Sequence, residues 1–240
     1  MVPERRAAVA FSTVLELLFP GRCLLCGTGL VGRAAAFFPV CSACLADLAP
    51  LRDTRRCEVC SIPLISEAAV CTRCRAREYG FGRNHALFEY RGSIRELIFQ
   101  YKFKARKRAA RAIAGLLGDA YAARFGSLPA VPVPGHPRNV RKRGWDPMLE
   151  VGRALGAMYG IPVMNPLRRG ASREQKGLGF EERLANMQGT ITLRSGASPL
   201  PPALVLIDDV FTTGATASEC ARVLRLGGAQ DIEVLTLAID

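Results

Sequence analysis

The apolar and polar positions of the chain follow one clear pattern beyond about residue 85. There, short apolar runs typical of buried strands alternate with longer segments in which apolar residues recur every three to four positions, as in amphipathic helices. This order indicates an α/β domain with a mainly parallel sheet and helices on both faces. The predicted strands are 86–90, 130–133, 204–207 and 232–239, and the predicted helices are 94–103, 106–124, 147–159 and 217–226.

The first twenty residues also carry a helical pattern. Arginines before an apolar run imitate a signal peptide, but Glu16 interrupts the run and no small-residue cleavage site follows. We predict an amphipathic helix that ends at Phe19. Since no segment reaches the roughly 18 uninterrupted apolar residues of a membrane span, we expect a soluble, cytoplasmic protein.

Cysteine is concentrated near the N-terminus, where eight of the nine cysteines form four CxxC pairs. Each CxxC turn directs two thiolates at one metal, and four thiolates make a tetrahedral zinc site without an open position for substrate. A disulfide framework requires a secreted protein, and a redox dithiol needs only one pair. We therefore predict two structural zinc sites, with the ligands Cys23, Cys26, Cys41, Cys44, Cys57, Cys60, Cys71 and Cys74.

The spacing of the pairs bears on how they combine. Fourteen residues separate Cys26 from Cys41 and ten separate Cys60 from Cys71, so consecutive pairs can each close a zinc ribbon. This sequential pairing is favoured, and cross-braced pairing stays open. We place an N-terminal helix and double zinc ribbon at 1–82 and a second domain at 83–240. The ninth cysteine, Cys220, falls on an apolar helix face and is expected in the core.

The segment 205–216 reads VLIDDVFTTGAT and is the most specific indication of a ligand-binding site in the chain. Asp208 and Asp209 follow a buried strand, where their carboxylates suit ribose hydroxyls or Mg²⁺. The next residues offer hydroxyls and backbone N–H groups at a helix start, a combination that binds phosphate. Thr216 and Glu219 also fit a capping box, which is a structural alternative for Thr216. The phosphate-binding candidates are Thr212, Thr213, Gly214, Ala215 and Thr216.

This segment resembles, at every position, the phosphoribosyl pyrophosphate (PRPP) signature of type I phosphoribosyltransferases. With the CxxC pairs and the stretches LLFPGRC, YRGSIRELIFQYKF and VPVPGHPRNVRKRG, nearly the whole chain resembles the ComF family of competence-associated, amidophosphoribosyltransferase-like proteins. The resemblance implies a type I phosphoribosyltransferase-like domain behind a small double zinc ribbon. It also implies a transferase that binds PRPP and Mg²⁺ and passes phosphoribosyl to an acceptor that the sequence does not identify. No catalytic residue is assigned.

The same resemblance places the loop 135–138 near the pyrophosphate. Guanidinium forks and ammonium groups suit a diphosphate, and a solvated basic turn is the structural alternative. The family usually shows RGFNQ where this chain has RGWDP at 143–147, so Asp146 and Pro147 replace two amides that could contact the second substrate. The Gly/Lys-rich start of the stretch 172–187 is expected to form a mobile lid. The pyrophosphate candidates are His136, Arg138, Arg141, Arg143 and Lys102.

Charge keeps two alternatives open. The formal net charge is +12, which suits phosphorylated ligands or a nucleic acid. A competence module that handles single-stranded DNA is therefore the second hypothesis, although an aromatic content of 7% leaves few stacking platforms. A PRPP sensor without turnover is the third. The densest basic run comprises Lys102, Lys104, Arg106, Lys107, Arg108 and Arg111.

Overall fold

The computed structural model describes residues 21–30, 38–48, 50–51, 55–65, 68–170, 189–197 and 199–240. The predicted N-terminal helix and the stretch 172–187, whose start was predicted to form a lid, lie outside these residues. The described strands are β1 (Gly21–Arg22), β2 (Gly29–Leu30), β3 (Asn84–Glu89), β4 (Ala130–Pro132), β5 (Leu167–Arg169), β6 (Ile191–Leu193), β7 (Ala203–Phe211) and β8 (Asp231–Ile239). The helices are α1 (Ser42–Ala46), α2 (Thr72–Arg75), α3 (Gly92–Lys102), α4 (Ala109–Phe125), α5 (Pro137–Arg143), α6 (Pro147–Tyr159) and α7 (Ala215–Leu226).

Within the described residues, β3, β8, β7 and β4 form one sheet in that order. Every neighbouring pair in it is parallel. The two central strands, β7 and β8, are almost continuously apolar because helices cover both of their faces. The α/β class with a mainly parallel sheet, predicted from the sequence, is confirmed.

Alternate residues of the central strands feed two separate apolar clusters. Val205 and Ile207 face the cluster that holds α3, α4 and α6. Leu204 and Leu206 face the cluster that holds α7 and the small β5–β6 sheet. Cys220 is fully buried in this second cluster, so the prediction that it is a core residue is confirmed.

The two cysteine-rich units cover different faces of the sheet. Cys23 and Leu24, from the first unit, pack into the cluster that contains α4. Cys57, Cys60 and Cys74, from the second unit, pack into the cluster that contains α7. The second unit therefore lies on the same face of the sheet as α7, the helix that follows β7.

Three features depart from the predicted elements. Strand β7 continues through both aspartates to Phe211, because β8 pairs with it along this whole length. Helix α5 replaces a predicted loop, and it depends on a cap and a Pro at its first turn rather than on an apolar stripe. The β5–β6 pair joins segments distant in sequence, so no local pattern marks it.

Candidate functional site

The eight clustered cysteines form two groups of four, each built from consecutive CxxC pairs. In each group the four Sγ atoms lie within 4.8 Å of one another. A tetrahedral zinc with Zn–S bonds of about 2.3 Å needs Sγ atoms roughly 3.8 Å apart. The measured separations are 3.6 Å for Cys26–Cys41 and 3.9 Å for Cys60–Cys71. The groups therefore fit zinc, and the pairing is the sequential one rather than the cross-braced one.

The two groups repeat one local design. The N–H of Cys41 donates to the Cys23 sulfur at 3.3 Å, and the N–H of Cys71 donates to the Cys57 sulfur at 3.4 Å. Four residues after the first cysteine of each group, Gly27 and Ser61 have left-handed φ values of 77° and 66°. Such backbone donors to sulfur stabilise thiolates, which suits structural zinc.

A cavity of about 470 Å³ opens at the carboxyl end of the sheet, where α/β folds bind ligands. It brings together residues from β7, α7, α5 and the end of α3. Its charged and polar side chains are Lys102, His136, Asn139, Lys142, Arg143, Asp146, Arg169, Asp208, Asp209 and Thr216. Five of them lie in the segment 136–146 and three in the segment 208–216, and the fold brings these two segments together with Lys102 and Arg169.

Two adjacent carboxylates form the acidic wall of this cavity. Asp208 accepts a hydrogen bond from the Asp209 N–H at 2.9 Å, and Asp209 forms an ion pair with Lys102. Burial, followed by the neighbouring Asp209 carboxylate, raises the pKa of Asp208 to about 8. Burial disfavours the charged Lys102 amine, but Asp209 and Asp208 outweigh it and raise the Lys102 pKa. Two adjacent carboxylates that line one cavity are suitable ligands for a divalent cation.

The segment after β7 turns sharply into α7. Helix α7 begins at Ala215 with Gly214 as its N-cap at φ 82°. The Thr213 hydroxyl accepts from the Ala215 N–H at 3.4 Å, and Thr216 lines the cavity. The capping box with Thr216 is therefore wrong. The Glu219 carboxylate instead accepts from Arg222 and from the Gly189 N–H, because Thr216 lies inside the first turn.

Helix α5 divides the predicted pyrophosphate residues into two sets. His136 and Arg143 line the cavity, together with Lys102. Arg138 and Arg141 are exposed and lie outside the lining. The His136 Nδ1 accepts from the Arg138 N–H at 3.3 Å and so caps α5. Lys142 and Asn139 occupy the cavity side in place of the two outer arginines.

The RGWDP stretch has a structural explanation. One Asp146 oxygen accepts from the Met148 N–H at 3.1 Å and the other from the Gly135 N–H at 2.8 Å. This single carboxylate therefore caps α6 and also bonds to the loop before α5. Pro147 occupies the first helical position of α6. Trp145 is only 7% exposed and packs on Tyr101, so it supports the wall rather than forming an open platform.

Arg169 was missed by the sequence reasoning. It ends β5 and lines the cavity together with residues of the basic helix α5. Burial lowers the pKa of the Arg169 guanidinium, although Cys220 and Asp208 shift that pKa in the opposite direction. No sequence signal marks it, since β5 is three residues long and pairs with a strand far along the chain.

In the described part of the chain, every helix is too short or too polar to cross a lipid bilayer.

Residues 14–75 match the family model described as a double zinc ribbon domain. The chain is 28% identical over 231 residues to the DNA utilization protein YhgH of Salmonella typhi, covering 92% of this chain and 98% of that protein. It is 27% identical to Competence protein F of Haemophilus influenzae, covering 83% and 90%. It is 26% identical to Competence protein ComFC of Streptococcus pneumoniae, covering 66% and 69%.

Among solved structures, adenine phosphoribosyltransferase from Leishmania tarentolae is similar at a TM-score of 0.37 and 15% identity, covering 59% of this chain and 75% of that one. The sequence relatives extend the likeness beyond the zinc ribbons, and most of them match over nearly their whole length. The chain is therefore similar, over most of its length, to the competence and DNA utilization proteins of the ComF type, and in it a double zinc ribbon precedes a mainly parallel α/β domain.

Proposed function

We propose that this chain binds PRPP with Mg²⁺ in the cavity at the carboxyl end of the sheet and transfers its phosphoribosyl group to an acceptor. One observation carries the proposal. An acidic pair, Thr216 in the first turn of α7 and a basic wall line the same space of about 470 Å³. These are the complementary groups for a ribose, a phosphate and a diphosphate.

The proposed placement follows from the chemistry of each wall. The N–H groups of 212–216 take the 5′-phosphate at the start of α7. Asp208 and Asp209 take the ribose hydroxyls and Mg²⁺, which neutralises the diphosphate when bound. Lys142, Arg143 and Arg169 face the diphosphate from the basic side. Arg138 and Arg141, which lie outside the lining, have no part in this placement.

Transfer in such a site depends on positioning and electrostatics. The bond from the anomeric carbon to pyrophosphate breaks and pyrophosphate leaves with the electron pair. A bond to the acceptor forms at the same carbon, and the acceptor's proton goes to solvent. Pyrophosphate release distinguishes this transferase from a sensor that binds PRPP without turnover.

The test is titration calorimetry of the zinc-loaded protein with PRPP and Mg²⁺, together with a pyrophosphate-release assay. Asp208→Asn and Asp209→Asn remove charge-assisted contacts worth about 1.5–3 kcal/mol, which lowers affinity about 10- to 150-fold. Asp231→Asn, at an exposed carboxylate at the start of β8, is the matched control with unchanged affinity. Absence of binding by the wild type, with both zinc ions in place, would falsify the proposal.

A second function, binding of single-stranded nucleic acid, is supported by an exposed aromatic pair at the cavity rim. Phe99 and Phe103 are 40% and 68% exposed, and their rings stack with centroids 5.3 Å apart. The Lys104 amine lies 5.8 Å from the Phe99 ring centre. Bases stack on such rings while neighbouring lysines and arginines contact phosphates. The competence and DNA utilization names of the relatives agree with this role.

This second function is tested by fluorescence anisotropy with a short oligothymidylate over a salt series. Phe103→Ala removes a stacking contact worth about 1–3 kcal/mol, so affinity falls at least about fivefold. Leu226→Ala, at an equally exposed apolar residue on α7, is the control. Equal affinities for both variants would reject this surface.

A further inference from the structure

Tyr79, in the chain that leaves the second zinc ribbon, contacts the segment 212–216. The Tyr79 hydroxyl donates to the Thr213 carbonyl at 3.2 Å. The Cys74 sulfur, a predicted zinc ligand, lies 3.9 Å from the same hydroxyl oxygen. Both the Thr213 carbonyl and a zinc-bound thiolate can only accept, and the carbonyl is the nearer of the two, so it takes the single Tyr79 proton. Tyr79 therefore lies between a metal ligand and the proposed phosphate-binding segment.

The Tyr79 ring also fixes the turn by close packing. A Cβ on Gly214 would come within 2.7 Å of the Tyr79 ring and 2.6 Å of the Phe211 ring. Phe81 completes the aromatic cluster, with its ring centre 5.0 Å from that of Tyr79 and 5.9 Å from that of Phe211. The turn at Gly214 is thus packed directly against the chain that leaves the second ribbon.

The residue after Tyr79 is attached to the body of α7. The Gly80 N–H donates to the Ser218 hydroxyl at 3.0 Å, and Arg225 donates to the Gly80 carbonyl at 2.9 Å. A Cβ on Gly80 would lie 2.9 Å from the Ser218 carbonyl oxygen, so this approach needs glycine. Tyr79 therefore cannot shift relative to α7 without breaking these contacts.

The hydrogen bond to Thr213 has a consequence for anion binding. In a planar trans peptide the C=O and the N–H point in opposite directions. Holding the Thr213 carbonyl toward Tyr79 therefore fixes the direction of the Gly214 N–H, away from Tyr79. That N–H is among the donors proposed above for the phosphate.

We propose that Tyr79 is a positioning residue through which the folded second zinc ribbon sets the conformation, and hence the phosphate affinity, of 212–216. This inference rests on the proposed function. Four-thiolate units of this size depend on their metal to fold. Loss of the second ribbon's metal therefore releases Tyr79 and loosens the segment, although neither Tyr79 nor the ribbon touches the phosphate.

The experiment compares Tyr79→Phe with Tyr159→Phe in the full-length, zinc-loaded protein. Tyr159 also donates to a backbone carbonyl, that of Gly115 at 3.1 Å, but it lies outside the cavity lining. Three quantities are measured on each variant: bound zinc, affinity for PRPP with Mg²⁺, and hydrogen exchange of a peptide spanning 209–218. Loss of one hydrogen bond of about 1 kcal/mol corresponds to about fivefold.

We expect Tyr79→Phe to keep two zinc ions, to bind PRPP about fivefold more weakly and to exchange faster at 209–218. We expect Tyr159→Phe to match the wild type in all three. Wild-type affinity and exchange in Tyr79→Phe overturn the inference. If the wild type binds no PRPP, the proposed function fails, and the exchange rates alone decide whether Tyr79 orders the segment.

Discussion

Substitution of Gly214 by alanine tests whether the turn before α7 is fixed by packing as well as by its backbone conformation. Gly214 has φ 82°, and an added Cβ would lie 2.6 Å from Phe211 and 2.7 Å from Tyr79. The left-handed conformation costs alanine about 1–2 kcal/mol, and overpacking adds about 1–3 kcal/mol. We therefore expect Gly214→Ala to lower the free energy of unfolding by roughly 2–5 kcal/mol.

Gly160→Ala is the matched control for this experiment. Gly160 has φ 68° at the end of α6, and an added Cβ there would meet nothing within 4 Å. It should show only the conformational cost of about 1–2 kcal/mol. Urea denaturation of the zinc-loaded proteins gives both free energies. If Gly214→Ala costs no more than Gly160→Ala, the rings of Tyr79 and Phe211 do not hold the turn and the packing argument is refuted.

Three further outcomes follow from the site. Because burial and Asp209 raise the pKa of Asp208 to about 8, binding of Mg²⁺ and PRPP should release a proton below pH 8 and tighten from pH 6.5 to 8.5. Calorimetry in buffers of different ionisation enthalpy detects this proton, and Asp208→Asn should abolish it. Asp146→Ala removes the cap of α6 and the bond to Gly135, so urea denaturation should show a loss of about 2 kcal/mol. Native mass spectrometry should find two zinc ions, and their chelation should make eight thiols reactive; disulfides in the purified protein would contradict this.

The raised pKa of Asp208 also makes the free energy of unfolding depend on pH. A carboxyl whose pKa is raised in the folded state binds its proton more tightly there than in the unfolded chain. Asp208 therefore costs the ligand-free protein stability as the pH rises from about 4, its usual pKa, through about 8. A cation or an occupied ribose site offsets this loss, so ligand stabilisation should grow over the same pH range.

Local patterns predicted most of the α/β domain. The predicted helix 147–159 coincides with α6, because Asp146, Pro147 and Gly160 mark its ends as strongly as its apolar face does. The four strands of the parallel sheet were each recognised from a short apolar run. Helix α5 was missed because four of its seven residues are basic and it has no apolar stripe, so the segment has the composition of an exposed loop.

Only part of the candidate site could be predicted from the sequence. Asp208, Asp209 and Thr216 belong to one continuous segment, so their proximity needed no fold. Arg169 reaches the cavity through pairing between β5 and β6, which depends on contacts between distant segments. The contacts from Cys74 through Tyr79 to Thr213 join residues more than 130 positions apart. A local sequence pattern cannot predict such contacts.

The most direct test of the account is a crystal structure of the zinc-loaded protein with PRPP and Mg²⁺. It should show the 5′-phosphate against the N–H groups of 212–216 and the ribose hydroxyls against Asp208 and Asp209. The diphosphate should face Lys142, Arg143 and Arg169. A ligand bound elsewhere, or an empty cavity at saturating PRPP, would contradict the assignment of this cavity as the phosphoribosyl site.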